Sequence, residues 1–156
     1  MASEDWRKID IDALTEAHLT EADLIPDLSP TSNETIVGIS QQVRQYLSTG
    51  KYQEALSIAL DNPPYVSDVQ SKELHSRTVF EILCSIRNNH NLNQLTDFIT
   101  KLNSEQQDTL IKYLYNNMSQ DFGQKQGGLL LNWFEKTVEV TGLGPIARYL
   151  TDRRTV

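Results

Sequence analysis

The sequence predicts an all-α protein, a helical-hairpin, α-solenoid-like bundle of about six to seven helices that follows an extended N-terminal tail. Three tetrapeptides, at 31–34, 67–70 and 104–107, have the Ser/Thr-x-x-Glu/Gln pattern of a helical capping box. Apolar residues then recur three or four positions apart, which is the spacing of one helix face. No stretch alternates polar and apolar residues for long enough to indicate a strand.

The first two helices are predicted on either side of Gly50. The first has apolar positions at Ile36, Ile39, Val43 and Leu47, and Gly50 supplies its stop. The second is predicted to end at Asn62-Pro63-Pro64, because a residue before proline is disfavoured in helical conformation. Its apolar stripe is Tyr52, Ala55, Leu56, Ala59 and Leu60.

The rest of the chain predicts four more helices and a final turn. The third helix is expected from 69 to 87, and the fourth carries apolar residues from 92 to 102. The fifth is expected from 105 to 118, and the sixth from Gly127-Gly128 to Thr141. A short last turn is predicted to start at Pro145, because proline suits the first position of a helix.

A weak internal repeat suggests two stacked helical hairpins. Four apolar positions of the first two helices match apolar positions 40 residues later: Val43, Tyr52, Ala55 and Ala59 fall on Leu83, Leu92, Leu95 and Ile99. The segment 43–56 resembles half of a tetratricopeptide unit. Arrays of that type need about three units at a period of about 34 residues, which this chain does not supply.

Charge divides the chain into an acidic tail, residues 1–30, and a nearly neutral helical body, residues 31–156. The tail holds eight acidic and two basic residues, a net charge of −6, whereas the body holds 13 and 12, a net charge of −1. Nucleic-acid and anionic-membrane partners are disfavoured, because both require a basic surface. The N-terminus lacks a signal-peptide pattern, and the sequence therefore predicts a cytoplasmic protein.

The sequence predicts neither an enzyme nor a cofactor or metal site. The three histidines are far apart, and the only cysteine, Cys84, lies in an apolar run that favours a buried, unreactive thiol. His90 is expected in a surface turn. The glycine-rich segment 123–128 fits a flexible loop better than a phosphate-binding loop, since it lacks both the motif and a preceding strand.

The sixth predicted helix has apolar residues over more than half of its circumference. These are Leu129, Leu130, Leu131, Trp133, Phe134, Val138 and Val140. One interpretation is a central helix that packs on several sides in the core. The other is a helix whose outer edge is covered by a second protein. The first is favoured, although both can hold together.

Five stretches carry a resemblance to a known family. They are Trp6–Asp12, Ala59–Pro64, Leu110–Met118, Leu130–Lys136 and Leu150–Val156, in the order and spacing of that family. Together they resemble subunit 5, the smallest subunit, of the actin-related protein 2/3 complex. Tyr65 and the loop 124–128 are more similar to fungal than to animal members. The resemblance covers essentially the whole chain.

The resemblance implies a structural subunit of a seven-protein machine that nucleates branched actin filaments in the cytoplasmic actin cytoskeleton, at cortical actin patches. It implies a body that packs on subunits 4 and 1, and a tail that tethers actin-related protein 2. Contact with actin filaments would be indirect, and no homo-oligomer is expected. The residues expected to bind actin-related protein 2 are Trp6, Arg7, Ile9, Asp10, Ile11 and Asp12. Those expected in a C-terminal interface are Arg153, Arg154, Thr155 and Val156.

Each expectation has an alternative. The alternative for the tail is a solvated, disordered terminus. Trp6 favours a binding role instead, because tryptophan is enriched in binding hot spots. The C-terminal residues are otherwise a frayed end. The whole protein is otherwise a free-standing tetratricopeptide-like adaptor, which predicts a groove for short peptides and a stable monomer.

Overall fold

The computed structural model describes Thr20, Asp23 and residues 28–156, and within these it contains eight α-helices and no strand. This confirms the all-α prediction. The helices are α1 (Asn33–Ser48), α2 (Tyr52–Asp61), α3 (Val69–Asn89), α4 (Leu92–Thr100), α5 (Ser104–Ser119), α6 (Asp121–Gln124), α7 (Gly127–Thr141) and α8 (Gly144–Thr151). Helix α6 was not predicted; it replaces part of the expected flexible loop.

The three predicted helix starts form one residue away from the expected cap. The N-cap residues are Ser32, Asp68 and Asn103, whose side-chain oxygens accept first-turn backbone N–H groups at 3.3, 3.2 and 2.8 Å. In α5 the box is complete, because Gln106 Oε1 accepts in turn from the Asn103 backbone N–H at 3.0 Å. Neighbouring Ser, Thr, Asn and Asp residues are all good caps, so the local pattern could not choose between them.

Helices α3 and α5 are the centre of the fold. Helices α1, α2 and α3 pack pairwise on one side, and α5 joins them through α2 and α3. On the other side α5 contacts α6, α7 and α8. One continuous apolar core connects the two sides, and its largest buried side chains include Trp133, Tyr113, Leu56, Ile82 and Leu110.

The predicted second hairpin does not form in the expected way. The matched positions Val43 and Leu83 are both buried, as are Ala55 and Leu95. However, α4 packs mainly against α7 and hardly touches α3. The indole N–H of Trp133 in α7 donates to the Leu83 carbonyl of α3 at 3.2 Å. Helix α7 therefore occupies part of the α3 surface on which a hairpin partner would pack.

Helix α7, the sixth predicted helix, is a core helix along one face. Leu130, Trp133 and Thr137 are buried, and the Thr137 hydroxyl donates to the Trp133 carbonyl at 2.7 Å. Phe134 is half-buried, whereas Leu131 is 59% exposed. The core interpretation is confirmed for the inner face, and the outer edge keeps apolar residues in contact with solvent.

Two side chains differ from the sequence-based expectation in their burial. His90 is half-buried and packs edge-on between Tyr52 at 5.3 Å and Phe98 at 5.0 Å, because the turn before α4 folds back onto α2. Cys84 is only half-buried. Partial burial and the nearby Glu81 carboxylate raise the pKa of the Cys84 thiol, which keeps it in the unreactive form.

Candidate partner-binding surface

The last nine residues lie alongside α5 and are joined to it once per helical turn. Each contact links residues 40 positions apart. The Arg148 guanidinium binds the Asp108 carboxylate, the Lys112 ammonium binds the Asp152 carboxylate, and the Asn116 amide donates to the Val156 carbonyl, at 2.6, 2.6 and 3.3 Å. The expected C-terminal interface segment is therefore an ordered part of the body.

Lys112 of α5 is buried where it meets this segment, with 5% of its side chain exposed. Besides Asp152, its ammonium group donates to the Tyr65 hydroxyl at 3.1 Å and approaches the Arg154 carbonyl at 3.5 Å. The same group lies 4.5 Å from the centre of the Tyr65 ring. A buried ammonium is tolerated only when its three N–H groups have partners, and here they do.

Asp152 joins the buried lysine to Arg154, one of the predicted interface residues. The Arg154 guanidinium donates to the Asp152 carboxylate through Nη2 at 2.8 Å and through Nε at 3.0 Å. The hydrogen bonds from Arg154 and then those from Lys112 hold the pKa of the Asp152 carboxyl well below its usual range. The carboxylate therefore stays charged and clamps both cations.

The other predicted C-terminal residues differ in what they contact. The Lys72 ammonium of α3 donates to the Thr155 carbonyl at 2.8 Å and to its hydroxyl at 3.0 Å. Val156 packs partly buried against the core. Arg153 is exposed and makes no ion pair within the described residues. The structure thus uses Arg154, Thr155 and Val156 as anchors and directs Arg153 toward solvent.

A half-open cleft of about 750 Å³ lies beside this segment. It is bordered by the start of α1, the loop around Tyr65, the first half of α5, and the last residues of the chain. Thr31 is at its edge, where the Thr31 backbone N–H donates to the Val66 carbonyl at 2.9 Å and its carbonyl accepts from the Ser67 hydroxyl at 2.6 Å. Thr31, the first residue of the body, is thus held at a fixed point next to the C-terminal segment.

The predicted tail anchors lie outside the described residues. These are Trp6, Arg7, Ile9, Asp10, Ile11 and Asp12. What the structure does place is the origin of the tail, beside Asp152 and Arg154 at the cleft. Thr31, where the body begins, therefore lies at the same edge of the body as the C-terminal segment.

The residues that hold this edge together were not predicted from the sequence. A lysine within the apolar run 110–114 was the available signal, because a charge at an otherwise buried position requires a partner. An aromatic contact between α5, α7 and α8 was not predicted either. There Tyr115 stacks on Tyr149 with ring centres 4.5 Å apart, and meets the edge of Phe134 at 5.4 Å.

Comparison with known proteins agrees with the resemblance. A family model described as the ARP2/3 complex 16 kDa subunit (p16-Arc) matches residues 5–156. A protein of Saccharomyces cerevisiae named actin-related protein 2/3 complex subunit 5 is 39% identical, over 97% of this chain and 98% of its own. Subunit 5-B of Xenopus laevis is 29% identical over 97% and 94%, and a probable subunit 5 of Caenorhabditis elegans is 28% identical over 99% of both chains. The chain belongs to the family of the 16 kDa subunit, subunit 5, of the actin-related protein 2/3 complex.

Proposed function

We propose that this protein is a non-catalytic structural subunit of the actin-related protein 2/3 complex, and so takes part in the nucleation of branched actin filaments. The observation that carries this proposal is the family match over residues 5–156, which includes both the body and most of the tail. In this proposal the body, residues 31–156, docks on subunits 4 and 1. The tail, residues 1–30, tethers actin-related protein 2.

Two groups of the body with shifted pKa values, Asp152 and His75, support a structural role, because each is engaged in holding the fold. A strongly shifted pKa in a cleft is a common sign of a catalytic group. The Asp152 carboxyl has such a pKa, but its oxygens already accept hydrogen bonds from Lys112 and Arg154. His75 is buried, and its Nε2 lies 2.9 Å from the Ala59 carbonyl. Burial lowers the pKa of His75, so it stays neutral as part of the core.

The geometry at Thr31 supports the proposed division of labour. Since the tail starts at a point held to the body by two hydrogen bonds, docking of the body would set where the tail begins. A chain of 30 residues spans up to about 100 Å when extended. It can therefore contact a protein that the body does not touch.

Within the tail, apolar side chains are expected to supply most of the affinity. Trp6, Ile9 and Ile11 are the anchors in this proposal, whereas Arg7, Asp10 and Asp12 form ion pairs at the rim. An exposed ion pair contributes about 0–1 kcal/mol, which is less than a buried tryptophan contributes at an interface.

The test is native mass spectrometry of complexes recovered from cytosol through a tag on this chain. We expect one particle that contains this chain and six other proteins in single copy, two of them actin-like. Recovery of a lone monomer, or of variable peptide-bearing clients, would refute the subunit proposal and favour the adaptor. A fluorescent tag should mark cortical actin patches.

A double substitution tests the tail separately. Trp6→Ala with Ile9→Ala should reduce retention of actin-related protein 2 while the other subunits stay bound. The matched control is Leu24→Ala with Ile25→Ala, which truncates two apolar side chains in a part of the tail to which no role is assigned. Equal retention in the two double variants would refute the proposed anchors.

A further inference from the structure

Helix α8 has apolar residues on two opposite faces. One face packs on the body, where Pro145 is buried and Tyr149 stacks on α5. On the other side the N-cap residue Leu143 and the helical residues Ala147 and Leu150 stand at positions i, i+4 and i+7, and all three are exposed. Leu143 is 71% exposed and Leu150 is 74% exposed. Single exposed leucines are ordinary, but a stripe along a whole short helix has the pattern of a contact surface.

The outer stripe lies in a basic part of an acidic chain. Residues 143–156 hold three arginines and one aspartate, a net side-chain charge of +2, whereas the whole protein has a net charge of −7. Arg148 and Arg154 pair with Asp108 and Asp152. Arg153, just beyond the end of α8, is exposed and has no ion-pair partner within the described residues. A protein surface that is apolar at its centre and acidic at its rim is complementary to this arrangement.

We propose that the stripe Leu143–Ala147–Leu150 docks onto an apolar helix face of another subunit, with an acidic residue of that subunit bound to Arg153. Residues spaced i, i+4 and i+7 form a ridge about 10 Å long that fits the groove of a partner helix. This inference rests on the proposed function and adds to it a specific contact surface.

Binding of purified full-length variants to the six-protein particle that lacks this chain tests the surface. Leu143→Ser with Leu150→Ser should weaken binding about a hundredfold, because two central apolar side chains are truncated. The control is Val37→Ser with Leu92→Ser, which changes two exposed apolar side chains on α1 and α4 and should weaken binding less than about threefold. Arg153→Glu should weaken binding about tenfold at low salt and less at high salt.

The outcomes separate this inference from the proposed function. If the wild-type chain does not join the particle, the proposed function is wrong. If it joins and the α8 variant binds as tightly as the control, only the docking surface is wrong. Thermal unfolding of each variant shows that a loss of binding is not a loss of folding.

A photo-reactive benzoylphenylalanine in place of Leu150, within the whole complex, supplies an independent measurement. We expect a crosslink to a helical segment of another subunit that carries acidic residues. Crosslinks confined to this chain, or to a non-helical segment, would overturn the inference. Binding of the wild-type chain to phosphatidylserine vesicles, lost in the α8 variant, would also overturn it by assigning the stripe to a lipid surface.

Discussion

Replacing Asp152 by asparagine should destabilise the protein through the charge that it leaves behind on Lys112. The lysine side chain is 5% exposed and the aspartate side chain 18%, so the pair is largely shielded from solvent. Removal of one member of a fully buried pair costs about 3–5 kcal/mol. Because Asp152 keeps some contact with water, we expect a loss of about 2–3 kcal/mol in the free energy of unfolding.

A double-mutant cycle shows whether charge is the cause. Lys112→Met together with Asp152→Asn removes both charges, and should be less destabilised than Asp152→Asn alone by at least about 1 kcal/mol. Glu81→Gln is the matched control, because the Glu81 carboxylate pairs with Arg44 at 3.6 Å on the surface. It should cost less than about 0.5 kcal/mol.

Urea unfolding of the purified full-length chain, followed by circular dichroism at neutral pH, measures five proteins: wild type, Asp152→Asn, Lys112→Met, the double variant and Glu81→Gln. Additive effects in the cycle, or an Asp152→Asn chain as stable as wild type, would refute the argument. The acid dependence gives a second check. The folded-state pKa of Asp152 lies below its unfolded value of 3.8, so its stabilisation is present above that pH and is lost as the pH falls below it. The difference between wild type and Asp152→Asn should therefore shrink in acid.

Three further predictions concern the core. Gly123→Ala should destabilise the protein by about 1–3 kcal/mol, because the added Cβ would lie 1.9 Å from the backbone oxygen of Asn117. Gly38→Ala in α1 has open space around the added Cβ and should stabilise the protein by about 0.5–1 kcal/mol. Urea unfolding measures both changes in the free energy of unfolding, and two changes of the same sign would contradict the packing. Burial lowers the pKa of His75 from 6.5, so the stability of the protein should fall as the pH drops below that value, by up to about 1.4 kcal/mol per pH unit. In unfolding curves measured at several pH values, a His75→Gln variant should lose this pH dependence. Trp133→Phe removes the indole N–H that donates to the α3 backbone, and should lower the free energy of unfolding in urea by about 1–3 kcal/mol. An unchanged free energy of unfolding would contradict this prediction.

Much of the helical architecture could be predicted, because its signals are local. Most of the periodic apolar positions of α1 and α2 are buried, the exceptions being the half-buried Leu47 and Tyr52. Gly50 and Pro63 follow the ends of these two helices. The observed N-caps differ from the predicted ones by one residue. Ser32 and Thr31, for example, are both suitable caps, and only the packing of the helix selects one of them. Helix α6 was missed because four residues are too few to show a period.

Within the body, the sequence predicted only Arg153, Arg154, Thr155 and Val156 as part of the candidate surface. The stretches 110–118 and 150–156 both carry the family resemblance, but no local pattern showed that Lys112 would meet Asp152. Their contact depends on α8 lying along α5, which is decided by the path of the whole chain. The placement of His90 against Tyr52 and Phe98 has the same cause.

The sequence by itself determined the fold class, the division of charge between an acidic segment and a nearly neutral one, and the family. These follow from composition, from spacing along the chain, and from motifs that need no folded partner. Only the tertiary structure decided that α4 packs on α7, that a buried lysine clamps the C-terminal segment, and that the outer face of α8 stays apolar. The physical reason is that burial and pairing depend on which distant residues the fold brings together.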